Sequence, residues 1–139
     1  MTDLIQPRIA DCQGHLHPKA IYGMELFNQG RYFDAHEALE AAWRAESGPV
    51  RDLYRGILQV GVVYLNITQL NYPGALKVFQ RCLKWLQPWP DICRGVDIGR
   101  LKQDLEKVMA SLQALGPQRI ADFDASLLKP VYFRQAEQP

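Results

Sequence analysis

The chain has 139 residues, of which 47% are hydrophobic, and this is enough to form the core of one domain without disulfide or metal cross-links. Its 16 Lys and Arg residues nearly balance its 15 Asp and Glu residues, so the net charge of +1 gives no long-range field to attract nucleic acid or an anionic membrane. We therefore expect neither a nucleic-acid partner nor a membrane partner.

The first 18 residues mix Pro, Gly, Asp and Gln without a sustained hydrophobic period, which predicts an extended N-terminal arm. A first helix is predicted to begin near Lys19 and to end at the stop signal formed by Asn28–Gly30. A second helix is predicted from Tyr32 to Glu46. The link that follows, Ser47–Pro49, is so short that the second and third helices are expected to pack antiparallel.

The third helix, predicted from Val50 to Leu70, is apolar nearly all round, which is typical of a helix at the centre of a bundle. Asn71 is predicted to cap a fourth helix that extends to about Leu86. Asp97 is predicted to cap a fifth helix, which stops before Gly116.

The segment after the fifth helix, residues 117–139, is too apolar to be wholly solvated, so part of it is expected to pack along the helices. The sequence thus predicts an all-α fold, an antiparallel bundle of about five helices with an extended N-terminal arm (residues 1–18) and a C-terminal tail. No strand pair is expected. Residues 1–139 are expected to form a single domain with its core between about residues 19 and 115.

The cysteines Cys12, Cys82 and Cys93 include no close pair of the C-x-x-C kind, and an odd number suits a reducing compartment better than a disulfide scaffold. No basic and then apolar leader opens the sequence. The most apolar stretch, Ile57–Leu65, is interrupted by Gln59 and is too short to span a bilayer. We expect a cytoplasmic protein that is not inserted in a membrane.

A polar cluster is predicted between the second and third helices. His36, Glu40 and Trp43 form the pattern H-x-x-x-E-x-x-W and lie within about 60° of His36 on a helical wheel, on the side that also carries apolar residues. A carboxylate buried there needs a charged or hydrogen-bonding partner. The third helix offers Arg55 and Gln59, one turn apart. We expect Glu40 to form an ion pair with Arg55, and Gln59 to satisfy His36.

The same cluster carries a family resemblance. Its H-x-x-x-E-x-x-W pattern is preceded by F-N-x-G-x-Y at Phe27–Tyr32 and followed by RGILQVGVVYL and NYPGAL, which begin at Arg55 and Asn71. Between about Tyr22 and Leu86 the sequence resembles the DUF309 family of bacterial and archaeal proteins. The resemblance implies a small helical bundle and brings no substrate or catalytic assignment.

A metal site is an alternative interpretation of the cluster. His36 and Glu40, one helical turn apart, could ligate zinc or iron in a metal-dependent enzyme such as a hydrolase, with His15 and His17 as the nearest further ligands. The second histidine of the zinc-protease motif H-E-x-x-H is missing. We favour a buried His–Glu pair without a metal and expect no cofactor.

An aromatic and basic surface is a further candidate, because Trp85 and Trp89 occur among Arg81, Lys84 and Arg94. The second and fourth predicted helices both open with Tyr-x-x-Ala, an internal similarity that favours a groove-bearing interaction module over a catalyst. The sequence therefore predicts a non-catalytic module that binds a protein segment or a small ligand, with the five-residue polar cluster either as its binding site or as structural scaffolding.

Overall fold

The computed structural model describes residues 9–134. Within this range five α-helices follow one another: α1 Pro18–Asn28, α2 Tyr32–Ala45, α3 Arg51–Thr68, α4 Tyr72–Leu86 and α5 Ile98–Leu115. Short 3-10 helices lie outside them at Ile9–Cys12, Pro117–Asp122 and Ala125–Leu127. The predicted all-α fold is confirmed. The helices form where the sequence shows helical periodicity, and they end near the predicted stop signals.

The caps predicted for α4 and α5 are present. Asn71 Oδ1 accepts a hydrogen bond of 3.0 Å from the backbone N–H of Gly74. Asp97 Oδ1 accepts one of 2.9 Å from the backbone N–H of Arg100. Each cap satisfies an N–H group that has no acceptor inside its own helix. Gly116 follows α5 with a φ of 77°, a conformation that glycine adopts without steric cost.

The helices α2 and α3 run antiparallel, as their short link predicts. Trp43, near the end of α2, lies with its ring centroid 5.4 Å from the guanidinium carbon of Arg51 at the start of α3. Tyr32, at the start of α2, contacts Tyr64 near the end of α3, with ring centroids 5.7 Å apart. The start of each helix therefore meets the end of the other.

The helices α3 and α4 are also antiparallel. Asn66, near the end of α3, accepts a hydrogen bond of 3.0 Å from the side chain of Asn71, just before α4. At the opposite end, a Cβ placed on Gly56 would lie 2.7 Å from Cδ2 of Leu86. Only a residue without a side chain allows α3 and α4 to approach this closely.

The third helix is the central one, as its apolar circumference predicts. Its buried residues are Leu53, Tyr54, Gly56, Ile57, Leu58, Val60, Gly61, Val63, Tyr64 and Ile67. Phe27 of α1 packs against Tyr32 and Tyr64 with ring centroids 5.3 and 5.6 Å away, so an aromatic trio joins α1, α2 and α3. Across residues 9–134, no helix combines the length and apolarity needed to cross a bilayer.

A short antiparallel hairpin lies between α4 and α5, where no strand pair was expected. Strand β1 (Ile92–Cys93) pairs with β2 (Val96–Asp97). The turn between them is formed by Arg94 and Gly95, with φ values of 48° and 83°. Two residues per strand are too few for an alternating pattern to be recognised in the sequence.

The N-terminal arm is fixed to this hairpin. A disulfide joins Cys12 to Cys93 across 81 residues of sequence. Beside it, Arg94 donates hydrogen bonds of 2.9 and 2.7 Å to the backbone carbonyls of Asp11 and His15. The number and spacing of the cysteines did not predict this disulfide, because sequence spacing does not reveal which cysteines the fold brings together.

The C-terminal tail packs against the helices, as expected. The side chain of Asn28 donates a 2.9 Å hydrogen bond to the carbonyl of Val131 and accepts one of 2.8 Å from its N–H. The N–H of Arg134 donates to the carbonyl of Gly95 at 3.0 Å.

The N-terminal arm is not extended throughout, since Ile9–Cys12 forms a 3-10 turn. The arm and the tail therefore meet at the hairpin.

Candidate functional site

The five residues of the predicted polar cluster do not lie together. The buried side of α2 is formed by Tyr32, Ala35, Leu39 and Ala42. At 100° per residue, the centre of that stripe lies about 80° from His36. The side chains of His36 and Glu40 are accordingly 35% and 30% exposed. These two residues lie at the edge of α2 that faces solvent. Trp43 lies closer to the buried stripe and contacts Arg55 of α3.

Glu40 is paired within its own helix. Its Oε1 lies 2.6 Å from Nη2 of Arg44, and its Oε2 lies 3.7 Å from Nε2 of His36. The predicted pair of Glu40 with Arg55 is wrong, since it is not among the ion pairs of residues 9–134. Arg44 lies one turn after Glu40 on the same side of the helix and is the nearer cation. A partly exposed pair of this kind contributes only about 0.3–0.5 kcal/mol to stability.

The His36–Glu40 pair lines a shallow depression of about 440 Å³ on the outer side of α2. Arg44 and the ring of Phe33, which is 60% exposed, form other parts of its lining. The carboxylate there is already neutralised by Arg44. The depression thus presents one imidazole and one exposed aromatic ring to solvent.

The structure does not bring the alternative metal ligands to this depression. Nδ1 of His17 accepts a 3.0 Å hydrogen bond from the N–H of Lys19 and caps α1, and the N–H of His17 donates to the hydroxyl of Tyr54 at 2.9 Å. The carbonyl of His15 is held by Arg94 in the arm. In the part of the chain that the structure describes, no group of three or more His, Cys, Asp or Glu residues is placed to hold a metal ion.

Arg55 lies between two tryptophan rings from neighbouring helices. Its guanidinium carbon is 4.9 Å from the ring centroid of Trp43 in α2 and 4.1 Å from that of Trp85 in α4. At the two ends of this arrangement, the guanidinium carbon of Arg51 lies 5.4 Å from the Trp43 centroid and Nζ of Lys84 lies 4.9 Å from the Trp85 centroid. We call these five residues the cation–aromatic ladder.

The antiparallel packing of α2, α3 and α4 builds the ladder at one end of the bundle. The last turns of α2 and α4 carry the tryptophans, and the first turns of α3 carry the two arginines, Arg51 and Arg55. Close approach of α3 and α4 at Gly56 brings the Trp85 backbone beside α3, with its carbonyl carbon 3.4 Å from a Cβ built on that glycine. The partial negative charge at the ends of α2 and α4 favours cations at this place.

The cations of the ladder have no anionic partner within the described range. Arg51, Arg55 and Lys84 take part in no ion pair of residues 9–134. Each cation–ring contact contributes about 0.5–2 kcal/mol, depending on how far water is excluded. The rings therefore hold the positive charges in place without neutralising them.

Gln59 lies one turn beyond Arg55 on α3. Its Oε1 is buried and finds no hydrogen-bond donor among residues 9–134. The expected contact with His36 is not among the hydrogen bonds of those residues. Leaving a buried acceptor unpaired costs about 1–3 kcal/mol.

The aromatic and basic surface predicted around Trp85 is also divided. Trp85 and Lys84 belong to the ladder, whereas Trp89 is only 2% exposed and its Nε1 donates a 2.9 Å hydrogen bond to the carbonyl of Trp85. Arg94 lies at the N-terminal arm. The antiparallel packing of α2, α3 and α4 could have indicated the ladder, because it places Trp43 and Trp85 on either side of the start of α3.

Comparison with known proteins finds a family model that matches part of the chain. The model of DUF309, described as a domain of unknown function, matches residues 20–78, which extend from α1 into α4. An uncharacterized protein of Aquifex aeolicus (strain VF5) is 24% identical over 95 residues, which cover 68% of this chain and 28% of that protein. The chain therefore spans less than a third of that relative's length. Residues 20–78, which contain the pattern of His36, Glu40 and Trp43, are thus similar to the DUF309 domain.

Proposed function

We propose that the chain is a non-catalytic binding module and that the cation–aromatic ladder is its binding surface, for a protein segment or a small ligand. The observation that supports this is Arg55, held between Trp43 and Trp85 with no carboxylate partner in residues 9–134. The cation–ring contacts alone can join the three helices, yet they leave three cations without anionic partners in residues 9–134. Positioned but unneutralised charge is what a complementary partner requires.

A metal-dependent hydrolase remains the alternative class. It would need His36 and Glu40 to ligate a metal together with further groups. The geometry favours it less, because Arg44 already binds the Glu40 carboxylate at 2.6 Å and His17 caps α1. The binding surface is therefore proposed at the ladder, which includes Trp43 and Arg55 of the predicted cluster.

Two broader predictions stay proposals. The single domain over residues 1–139 includes ends that lie outside the described residues. The cytoplasmic location rested partly on unpaired cysteines, and the Cys12–Cys93 disulfide removes that support, since such bonds persist mainly in oxidising compartments.

Affinity capture from extracts of the source cells tests the proposed function. The wild-type chain and two charge-matched variants, Arg55→Gln in the ladder and Arg119→Gln on an exposed 3-10 helix, serve as baits. We expect a partner that the wild type and Arg119→Gln retain and that Arg55→Gln loses, while all three baits keep the same circular dichroism spectrum. Equal retention by all three would contradict the proposal. Stoichiometric zinc or iron that His36→Ala loses would support the hydrolase instead.

A further inference from the structure

Resting on the proposed function, we infer that the group bound by the ladder is a carboxylate, presented by an acidic segment of a partner protein. The inference concerns the chemistry of the ligand, which neither the fold nor the resemblance specifies. It depends on two observations. The side chains of Arg55, Arg51 and Lys84 are positioned by the tryptophan rings, and each ring already contacts two cations.

Arg55 is prepared to bind a planar anion. Its guanidinium lies over the rings of Trp43 and Trp85, which restrict the side chain before any ligand arrives. Its guanidinium N–H groups take part in no hydrogen bond or ion pair of residues 9–134, and Arg binds a carboxylate through two parallel N–H···O hydrogen bonds. Because the side chain is already positioned, binding loses less conformational entropy than it would for a free surface arginine.

The flanking cations favour an anion with more than one charge. Arg51 contacts the ring of Trp43, and Lys84 contacts that of Trp85, so positive charge lies on both sides of Arg55. A segment with several Asp or Glu residues can place one carboxylate on Arg55 and others near its two neighbours. Electrostatic complementarity of this kind sets specificity and association rate.

A nucleic acid fits the same surface less well. Single-stranded nucleic acid binds through bases that stack on aromatic rings and through an extended basic groove. In the ladder each tryptophan ring already contacts two cations, and the net charge of +1 provides no extended field. An acidic protein segment is therefore favoured over a nucleic acid as the partner of the ladder.

Titration of the ¹⁵N-labelled full-length chain tests the inference. The probe is a short peptide of alternating Glu and Ala, and the control probe replaces each Glu with Gln. We expect saturable shifts of the Arg55 Nε–Hε resonance and of the Trp43 and Trp85 indole resonances with the acidic peptide only. Affinity should fall with salt, because screening weakens charge pairing.

Variants separate the role of the guanidinium from that of charge alone. Arg55→Gln should bind the acidic peptide at least about tenfold more weakly, Arg55→Lys should bind with intermediate affinity because it lacks the planar fork, and Arg119→Gln should bind like the wild type. Arg51→Gln and Lys84→Gln, which leave Arg55 in place, should each weaken binding by a smaller factor. If Arg55→Gln is less stable than the wild type, the weaker binding of Arg51→Gln and Lys84→Gln still tests the inference.

The outcomes distinguish the inference from the function on which it rests. Equal binding by Arg55→Gln and the wild type, or no binding of the acidic peptide, would overturn the carboxylate inference. Tighter binding of single-stranded DNA through the same resonances would overturn it too. If cell extracts still yield a partner that depends on Arg55, the proposed binding function stands without the carboxylate. If they do not, both proposals fall.

Discussion

Replacement of both Cys12 and Cys93 by serine is expected to lower the free energy of unfolding by about 3–5 kcal/mol under non-reducing conditions. The disulfide closes a loop of 81 residues, and a cross-link across so long a loop removes much conformational entropy from the unfolded chain. It also joins the N-terminal arm to the β-hairpin beside α5. Guanidinium denaturation at equilibrium measures the effect.

The reduced wild-type chain is the control for this prediction. With a reductant present, the wild type should become as easy to unfold as the Cys12→Ser/Cys93→Ser variant. Cys82 is buried, and burial raises the pKa of its thiol to about 12, so it should not react with a thiol reagent while the chain is folded. Unfolding without reductant should expose Cys82 alone. Three reactive thiols under that condition would show that the disulfide does not form.

The second large effect is expected in the contact between α1 and α2. Leu39 is 0% exposed, and its Cγ would lie 2.7 Å from a Cβ built on Gly23, so it packs closely against α1. Truncation to alanine leaves a cavity that such tight packing cannot close. We expect Leu39→Ala to lower the free energy of unfolding by about 2–5 kcal/mol.

A leucine at the surface provides the matched control. Leu70 is 56% exposed at the end of α3, and Leu70→Ala should change the free energy of unfolding by no more than about 0.5 kcal/mol. Chemical denaturation of both variants measures the difference. Similar effects at the two positions would mean that α1 does not pack on α2 as described.

The helices could be predicted from the sequence because their signals are local. The caps Asn71 and Asp97 act within three residues of themselves, and the apolar circumference of α3 follows from its own composition. The hairpin and the Cys12–Cys93 disulfide could not be predicted in this way. Each depends on contacts between distant segments, and strands of two residues contain no period to recognise.

The candidate site was predicted less well, because a small angular error on a helix moves a residue from the core to its edge. The wheel was centred on His36, whereas the buried stripe of α2 runs through Ala35 and Leu39. Glu40 therefore had a near partner on its own helix and did not need Arg55. Arg55 was singled out on α3 as the partner of Glu40, but its neighbour Trp85 comes from α4, and no local pattern joins the two.

A double-mutant cycle tests the central claim most directly, namely that Arg55 is held by the tryptophans and not by Glu40. It compares the coupling free energy of Arg55→Met with Trp85→Leu to that of Arg55→Met with Glu40→Gln, both measured by chemical denaturation. We predict a coupling of about 0.5–2 kcal/mol between Arg55 and Trp85 and additive effects for Arg55 and Glu40. Coupling of Arg55 to Glu40, with additive effects for Arg55 and Trp85, would contradict the account.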